Sequence, residues 1–256
     1  MRAERIVFFD SAGNKVVGIL SDPTEDKSKP TIILCHGFQS SKESTTNLEL
    51  EVRLHQKEIS TFRFDFYGHG ESEGKFADIT VSKAVDNLFQ AINHLQKKGY
   101  RKIGLVGSSF GGLVSLVAAS KSKGLFVLAL KCPVSERLGE LVAEDTHQDI
   151  EEWKRKGFIE RTNQQGETEK LNYSFYKDAK RYADSKDYKN IKIPTLIIHG
   201  DKDITVPLEQ SIKTAKIVPH CRLEIIKGAD HSFKTDPQHF QKMISLISEF
   251  IISHAE

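Results

Sequence analysis

The segment Gly107-Ser108-Ser109-Phe110-Gly111 holds a serine between two glycines, a spacing typical of a nucleophilic serine on a sharp turn. An apolar run ends just before it at Val106, and a segment of helical period begins at Gly111. Glycines are needed because the turn strains the backbone and because larger side chains would collide with the neighbouring strand and helix. The segment therefore predicts a strand, a turn and a helix, with the Ser109 hydroxyl exposed at the turn.

A serine hydroxyl is a weak nucleophile at neutral pH, so it needs a histidine to take its proton and a carboxylate to orient that histidine. When the serine follows a strand in this way, the chain order is serine, acid, histidine. Among ten histidines, His231 follows Ser109 and lies on the loop after the last apolar run, which ends near Ile226. We predict that His231 is the base.

Two acids are candidates for the orienting carboxylate. Asp201 and Asp203 both follow the apolar run that ends at Ile198, and spacing alone leaves the choice between them open. Asp230 is adjacent to His231, and neighbouring side chains on a loop rarely point at each other, so we assign Asp230 to a turn.

These candidates lie at the ends of apolar runs that predict buried strands. The runs do not alternate with polar residues, which is typical of strands covered on both faces of a parallel sheet. Segments of helical period separate them, so the order predicts a doubly wound α/β sheet with right-handed crossovers. The first two runs, 5–9 and 15–20, instead flank turn residues and predict an antiparallel N-terminal hairpin. The other predicted strands are 31–35, 59–66, 102–106, 125–130, 195–198 and 222–226, and the predicted helices are 48–57, 81–98, 111–122, 208–217 and 238–252.

Residues 133–190 interrupt this alternation, with 24 Asp, Glu, Lys and Arg among 58 residues. The segment follows one predicted strand and precedes another, so it leaves the carboxyl edge of the sheet, where ligands bind in open α/β folds. We predict an inserted cap over 133–190, containing a small hairpin (157–160 and 171–175, with a turn at 163–166), and a core made of 1–132 and 191–256. The alternative is a solvated surface subdomain that contacts no substrate.

Five motifs outside this segment share a resemblance to one family. They are His36-Gly37-Phe38, Phe64-Asp65-Phe66-Tyr67-Gly68-His69-Gly70-Glu71-Ser72, Gly107-Ser108-Ser109-Phe110-Gly111-Gly112, His199-Gly200-Asp201-Lys202-Asp203 and Gly228-Ala229-Asp230-His231. The chain resembles the α/β-hydrolase serine esterases, and among them the bacterial cinnamoyl and feruloyl esterases. The resemblance implies the α/β-hydrolase fold. It also places the acid three residues after the His-Gly pair, on Asp203, and leaves Asp201 as a turn former.

The resemblance further implies an oxyanion hole formed by the backbone amides of Phe38 and Phe110, which would stabilise a tetrahedral intermediate. His36 and Gly37 then shape the loop. A metal-binding role for His36 is not expected, because no second ligand lies at metal spacing from it. Asp65 and His69 match structural positions. No cofactor and no metal are expected.

Composition limits the other classes of function. The 256 residues include 37 Lys and Arg against 35 Asp and Glu, so no net field would attract nucleic acid or an anionic membrane. The apolar run at 125–130 is far shorter than the about 20 residues of a membrane span. Three widely spaced cysteines, and an N-terminus without the features of a secretory signal, predict reduced thiols and a cytoplasmic protein.

We therefore predict a serine hydrolase that cleaves small carboxylic esters through Ser109, His231 and Asp203, with cinnamoyl or feruloyl esters as candidate aromatic substrates. A serine peptidase or amidase acting on short peptides is the alternative, because the chemistry is shared and only the pockets differ. A small-molecule receptor on the same fold is a third reading, which the complete triad argues against. The expected partner is a small ester, and the oligomeric state, a homodimer included, is left open.

Seven aromatic residues of the predicted cap could line an acyl pocket or form the cap's own core, and the second is favoured for most of them. They are Trp153, Phe158, Tyr173, Phe175, Tyr176, Tyr182 and Tyr188.

Overall fold

A computed structural model describes residues 2–163, 166–183 and 185–255, whose strands form one large sheet and one separate hairpin. The strands are β1 (Arg2–Phe9), β2 (Lys15–Asp22), β3 (Thr31–Cys35), β4 (Ser60–Phe64), β5 (Ile103–Ser108), β6 (Leu125–Lys131), β7 (Phe158–Thr162), β8 (Thr168–Asn172), β9 (Thr195–Gly200) and β10 (Cys221–Ile226). The large sheet has eight strands in the order β1-β2-β4-β3-β5-β6-β9-β10, while β7 pairs with β8.

The large sheet is mostly parallel, as predicted. Strand β2 pairs antiparallel with both β1 and β4, and the other neighbouring pairs are parallel. The predicted N-terminal hairpin is therefore confirmed. Strand β4 is shorter than the predicted 59–66 because Phe66 leaves the ladder, and its amide donates to the His36 ring at 3.1 Å instead of to a neighbouring strand.

Helices cover both faces of the sheet, which confirms the doubly wound architecture. They are α1 (Thr45–His55), α2 (Val81–Lys97), α3 (Phe110–Lys121), α4 (Leu138–Asp145), α5 (Ile150–Lys156), α6 (Tyr173–Ala179), α7 (Leu208–Ile217) and α8 (Pro237–Ser253), with short 3₁₀ helices at Phe76–Asp78, Lys180–Tyr182 and Ser185–Asn190.

Alternate residues of β3 show how the two layers arise, because successive side chains of a strand point to opposite faces. Ile33 and Cys35 pack into a core with residues of α2 and α3, whereas Ile32 and Leu34 pack into a second core with residues of α1 and α8. All five residues of β3 are buried, which is why its sequence shows no polar alternation.

Several helices begin at residues suited to capping. The side chains of Ser44, Thr80 and Asp236 accept hydrogen bonds from backbone amides in the first turns of α1, α2 and α8. Pro237 at the start of α8 fits, since proline tolerates the first helical turn.

The chain between β6 and β9 adds α4, α5, the β7–β8 hairpin, α6 and two of the 3₁₀ helices. The hairpin is present, although Gln164 and Gln165 of its predicted turn lie outside the described residues. The prediction of an extended second arm through Phe175 is wrong, because α6 begins at Tyr173 and buries Phe175, Tyr176 and Ala179 on one face.

Within the part of the chain that the structure describes, no helix combines the length and the apolar character that a membrane span requires.

Candidate active site

Ser109 occupies the turn between β5 and α3, with backbone angles of φ 53° and ψ −112°. A non-glycine residue in this region is strained by about 1–3 kcal/mol, and the surroundings must hold it there. Its amide donates to the carbonyl of Lys131 at 2.9 Å, and its carbonyl accepts from the amides of Gly112 at 2.9 Å and Val134 at 3.2 Å. These bonds tie the turn to β6 and α3.

The two glycines of the turn have no room for a side chain. A Cβ at Gly107 would lie 2.5 Å from the carbonyl oxygen of Gly111, and a Cβ at Gly111 would lie 2.4 Å from those of Cys35 and His36. These are the collisions expected from the sequence. The end of β3 lies directly against the turn that carries Ser109.

Asp203 and His231 meet across two loops that follow β9 and β10. The Nδ1 of His231 lies 2.6 Å from Oδ2 of Asp203. The other carboxylate oxygen accepts from the amides of Thr205 at 2.9 Å and Val206 at 2.8 Å. Since Asp203 engages Nδ1, the Nε2 atom is the His231 ring nitrogen left for a substrate or a nucleophile.

A second histidine, His199 at the end of β9, also contacts Asp203. Its Nε2 lies 3.2 Å from Oδ2 of Asp203 and 2.9 Å from the carbonyl oxygen of Val206, and its Nδ1 lies 2.6 Å from the Ser211 hydroxyl. A neutral ring that donates from Nε2 and accepts from Ser211 satisfies all of these contacts.

The surroundings of Asp203 and His231 favour an ionised carboxylate and a neutral imidazole. Burial opposes ionisation of Asp203, but hydrogen bonds from His199 and His231 outweigh it and hold the Asp203 pKa far below its usual value. Burial also lowers the pKa of His231, and the nearby Lys131 ammonium adds to that effect, while the hydrogen bond to Asp203 acts in the opposite direction. His231 therefore stays neutral down to a lower pH than an exposed histidine would.

The two loops meet because Gly200 allows a close backbone approach. A Cβ at Gly200 would lie 2.2 Å from the carbonyl oxygen of Ala229, which also accepts from the amide of Lys202 at 2.9 Å. The Asp201 carboxylate accepts from the amide of Gly228 at 2.6 Å, so Asp201 joins the same two loops and points away from the His231 ring.

Asp230 orders the loop beyond His231. Its carboxylate accepts from the Ser232 and Thr235 hydroxyls and from the amide of Phe233. It behaves as the turn residue expected from the sequence.

Ser109 and His231 together line two cavities. The first, here the apolar cavity, has a volume of about 230 Å³, and the second, here the polar cavity, about 190 Å³. No hydrogen bond joins the Ser109 hydroxyl to His231 within the described residues, and such bonds are often long until substrate binds. The remaining lining of the apolar cavity is Phe38, Phe110, Val134, Leu138, Leu141, Val142, Asp145, Arg161, Thr205 and Val206. The remaining lining of the polar cavity is Gly37, Phe38, Ser40, Ser44, Thr45, Thr46, Ser108, Lys131, Ser232 and Lys234.

The loop after β3 brings the predicted oxyanion donors to the serine. A Cβ at Gly37 would lie 3.6 Å from Cβ of Ser109, so the loop passes beside Ser109. Neither the Phe38 amide nor the Phe110 amide donates to a protein acceptor in the described ranges. The His36 ring holds this loop through two hydrogen bonds. Its Nε2 accepts from the Phe66 amide, and its Nδ1 therefore carries the proton and donates to the Gly37 carbonyl at 2.8 Å. Burial lowers the His36 pKa to about 3, which keeps the ring neutral in this role.

The ring of Phe38 is fixed by aromatic contacts from several elements. Its centroid lies 5.7 Å from that of Phe110, 5.3 Å from Phe76 and 5.4 Å from Phe175 of α6. The Arg161 guanidinium lies over it at 4.8 Å. Residues between β6 and β9 thus support the side chain of Phe38 in the loop after β3.

Asp65 and His69 support the framework rather than the reacting groups. The buried Asp65 carboxylate accepts from the amide and the ammonium of Lys42, both at 2.7 Å, and from the Glu71 amide at 2.9 Å. His69 pairs with the carbonyl of Tyr67 at 3.1 Å.

Cys132, Asp203 and His231 have ligand atoms within 4.8 Å of one another. Their residue types would suit a metal ion, but Asp203 and His231 already share a short hydrogen bond. Burial raises the pKa of the Cys132 thiol, which disfavours the thiolate that a metal requires. The cluster fits a hydrogen-bonded pair beside a buried thiol better than a metal centre.

The sequence alone assigns no role to two side chains that contact Asp203 or His231. His199 contacts Asp203, and the sequence signal for it is its place at a strand end, four residues before Asp203. Lys131 donates to the His231 carbonyl at 2.8 Å, and its signal was a charged residue that ends an otherwise apolar strand.

Sequence comparisons relate the chain to enzymes. A family model described as serine aminopeptidase, S33, matches residues 26–156, just over half of the chain. The mitochondrial palmitoyl-protein thioesterase ABHD10 of Bos taurus is 28% identical over 229 residues, which cover 87% of this chain and 73% of the relative. The human monoacylglycerol lipase ABHD6 is 24% identical over 262 residues, with 88% of this chain and 76% of the relative covered.

Solved structures share the fold over nearly the whole chain. Est1E of Butyrivibrio proteoclasticus, in a structure with ferulic acid bound, has a TM-score of 0.79 at 25% identity and covers 97% of this chain and 98% of its own. Mouse α/β hydrolase domain-containing protein 10 has a TM-score of 0.77 at 22% identity, with 98% and 99% covered. The fold and the site define an α/β-hydrolase, and the predicted assignment as a carboxylic ester hydrolase is confirmed. Within that class, the chain belongs to the family described as serine aminopeptidase, S33.

The contact at Gly200 generates a test of how the loops are joined. Gly200→Ala should lower the free energy of unfolding by about 1–3 kcal/mol, because the added methyl group overpacks the contact. It should also lower kcat/KM, because it separates Asp203 from His231. Gly13→Ala is the matched control: Gly13 has φ +84° but no atom within 4 Å of an added Cβ. It should cost about 1–2 kcal/mol and leave kcat/KM unchanged. Thermal unfolding and ester hydrolysis measure both effects, and equal kcat/KM values for the two variants would contradict the assigned role of Gly200.

Proposed function

We propose that this protein hydrolyses small carboxylic esters with Ser109 as nucleophile, His231 as general base and acid, and Asp203 as the orienting carboxylate. The observation that carries the proposal is the 2.6 Å contact between His231 Nδ1 and Asp203, at a site where the strained Ser109 lines the same cavities as His231.

The proposed reaction has two acyl-transfer steps. The Ser109 oxygen bonds to the ester carbonyl carbon while Nε2 of His231 takes the hydroxyl proton, and the carbonyl oxygen becomes an oxyanion near the amides of Phe38 and Phe110. The bond to the alcohol oxygen then breaks, and that oxygen takes the proton from His231. Water repeats the attack on the acyl-enzyme and gives its proton to His231, and Ser109 leaves with that proton as the carboxylic acid is released.

The acyl group is assigned to the apolar cavity. Its walls include Phe110, Val134, Leu138 and Val142, and burying apolar surface against them is favourable. Its volume of about 230 Å³ lies below the roughly 300–1,000 Å³ of typical ligand pockets, which favours a short chain or a single aromatic ring, such as the cinnamoyl and feruloyl groups.

We also propose that residues 133–190 act as a cap over the core formed by 1–132 and 191–256. Helix α4 and Arg161 of β7 supply part of the apolar lining. The seven cap aromatic residues do not belong to that lining, and Trp153 and Phe175 are fully buried.

Ester hydrolysis is favoured over aminopeptidase activity by the charges of the site. A peptide amino terminus would need an unpaired carboxylate near Ser109. Asp145 is the acid of the apolar cavity, and it is paired with Arg161 at 3.0 Å, while the described lining of the polar cavity holds no acid. The names of the thioesterase and monoacylglycerol lipase relatives point in the same direction.

We propose a cytoplasmic location, because Cys35, Cys132 and Cys221 are free thiols in the structure.

Removal of the nucleophile is the direct test. Ser109→Ala should lower kcat for p-nitrophenyl butyrate by about 10⁶-fold. Asp203→Asn should lower it by about 10⁴-fold, because an asparagine amide would hold the His231 ring in the wrong tautomer. A fluorophosphonate probe should label the wild type and the control Ser122→Ala, which alters the far end of the same helix. Labelling or turnover that persists in folded Ser109→Ala would contradict the proposal.

The pH profile tests the base. Because His231 must be neutral and burial lowers its pKa, kcat/KM should stay high as pH falls past about 6.5, the ordinary histidine value, and decline only below it. Initial rates at constant ionic strength measure this limb. An acid limb at or above 6.5 would argue against His231 in this environment.

A further inference from the structure

The two cavities beside Ser109 differ in charge as well as in polarity. The polar cavity is lined by two lysines, Lys131 and Lys234, together with hydroxyls such as those of Ser40, Ser44 and Thr45. No aspartate or glutamate belongs to its described lining. The mechanism above uses neither lysine as a reacting group.

Lys131 is a buried cation at the end of β6. The residue is 5% exposed, and its ammonium donates to the His231 carbonyl at 2.8 Å. An ammonium has three donors, and a buried charge is costly unless it is compensated. Asp203 and Asp230 act on it from a distance, but neither lies within 4 Å, and both carboxylates are bonded elsewhere. The ammonium also lies over the Phe233 ring at 5.5 Å, so the positive charge of Lys131 beside Ser109 is compensated only in part.

Lys234 provides the second charge from the loop after His231. Its ammonium donates to the Thr45 hydroxyl at 3.3 Å, across the polar cavity. Across the described ranges, no carboxylate lies within ion-pair distance of Lys234. Burial of the neighbouring Lys131 lowers the pKa of that group, and repulsion from Lys234 adds to this effect. An anion between the two ammonium groups would relieve this repulsion.

The position of the lysines indicates which half of the ester they contact. His231 must protonate the departing alcohol oxygen, and the lysines flank His231: Lys131 through its carbonyl and Lys234 three residues along its loop. The apolar cavity is available for the acyl group. The polar cavity also shares Ser40, Ser44, Thr45 and Lys234 with a larger groove of about 490 Å³, which gives an alcohol product a way out.

The larger groove is less suited to bind a negative charge than the polar cavity is. Glu43 and Glu169 line it. Glu43 pairs with Arg63 at 2.7 Å, and Glu169 accepts from Gln39 at 3.2 Å. An anionic group would therefore be held in the inner, polar cavity, close to the scissile bond.

We propose that the polar cavity is an anion subsite for the alcohol half of the substrate, in which Lys131 and Lys234 bind a carboxylate or phosphate carried by the leaving group. The inference rests on the proposed ester hydrolysis and names its substrate class: esters of short or aromatic acids with anionic alcohols.

Two matched esters test this preference. They are 4-(butanoyloxy)benzoate, whose leaving group carries a carboxylate, and 4-carbamoylphenyl butyrate, whose leaving group is a neutral amide of similar shape. The ratio of their kcat/KM values, anionic over neutral, should fall about threefold to fivefold in Lys234→Met, the range of a partly exposed charge pair. The wild-type ratio should also fall as ionic strength rises.

Lys242→Met is the control variant, because Lys242 is exposed on α8 and lines neither cavity. It removes the same charge and should leave the ratio unchanged. Lys131→Met should lower the ratio too, but it also removes the bond to the His231 carbonyl, so Lys234→Met carries the test. A third pair, phenyl hydrogen succinate and phenyl butyrate, places the charge on the acyl half, and its ratio should not change in Lys234→Met.

The outcomes separate the two proposals. If the wild type cleaves neither butyrate ester, the proposed ester hydrolysis fails. If it cleaves the neutral ester, but the first ratio is the same in the wild type, Lys234→Met and Lys242→Met, the anion subsite is wrong. A loss confined to the succinate pair would place the charge on the acyl half and overturn the assignment.

Discussion

The hydrogen bond between Asp203 and His231 is the interaction on which the site depends. The Asp203 side chain is fully buried, so its charge must be balanced by donors. Two histidines face one oxygen and two backbone amides face the other. Supplying all of them requires the loops after β9 and β10 to be fixed against each other, which the close approach at Gly200 achieves. The His231 ring is oriented because the buried Asp203 carboxylate needs a hydrogen bond from its Nδ1.

Much of the fold could be predicted because its signals are local. Strand β3 and helix α7 match the expected 31–35 and 208–217 at both ends, since burial on two faces and helical period are visible in short windows. The turn at Ser109 could be predicted equally well, because the steric demand at Gly107 and Gly111 depends on a strand and a helix that are adjacent in sequence. The order of serine, acid and histidine narrowed the remaining candidates.

The rest depends on contacts between distant segments. Spacing could not separate Asp201 from Asp203, because both leave the same strand and differ only in where their side chains turn: Asp201 to the Gly228 amide and Asp203 to His231. Lys131 is in sequence an ordinary charged residue at a strand end, and only the contact between β6 and the His231 loop reveals its place in the site. Between β6 and β9, the many charged residues obscured the helical period of α4 and α5. The aromatic residues from Tyr173 onward favoured a strand, although the buried residues there lie on one face of a helix.

The Phe38 ring gives the proposed cap a second role. Its amide faces the reacting carbonyl in the proposed mechanism, while its side chain packs against Phe175 and Arg161 of the insertion. Exchange of this segment between related hydrolases would therefore alter turnover along with selectivity. A graft chosen only for its fit to a new substrate would loosen Phe38, the proposed oxyanion donor, unless it also rebuilt the aromatic and cationic neighbours of that ring.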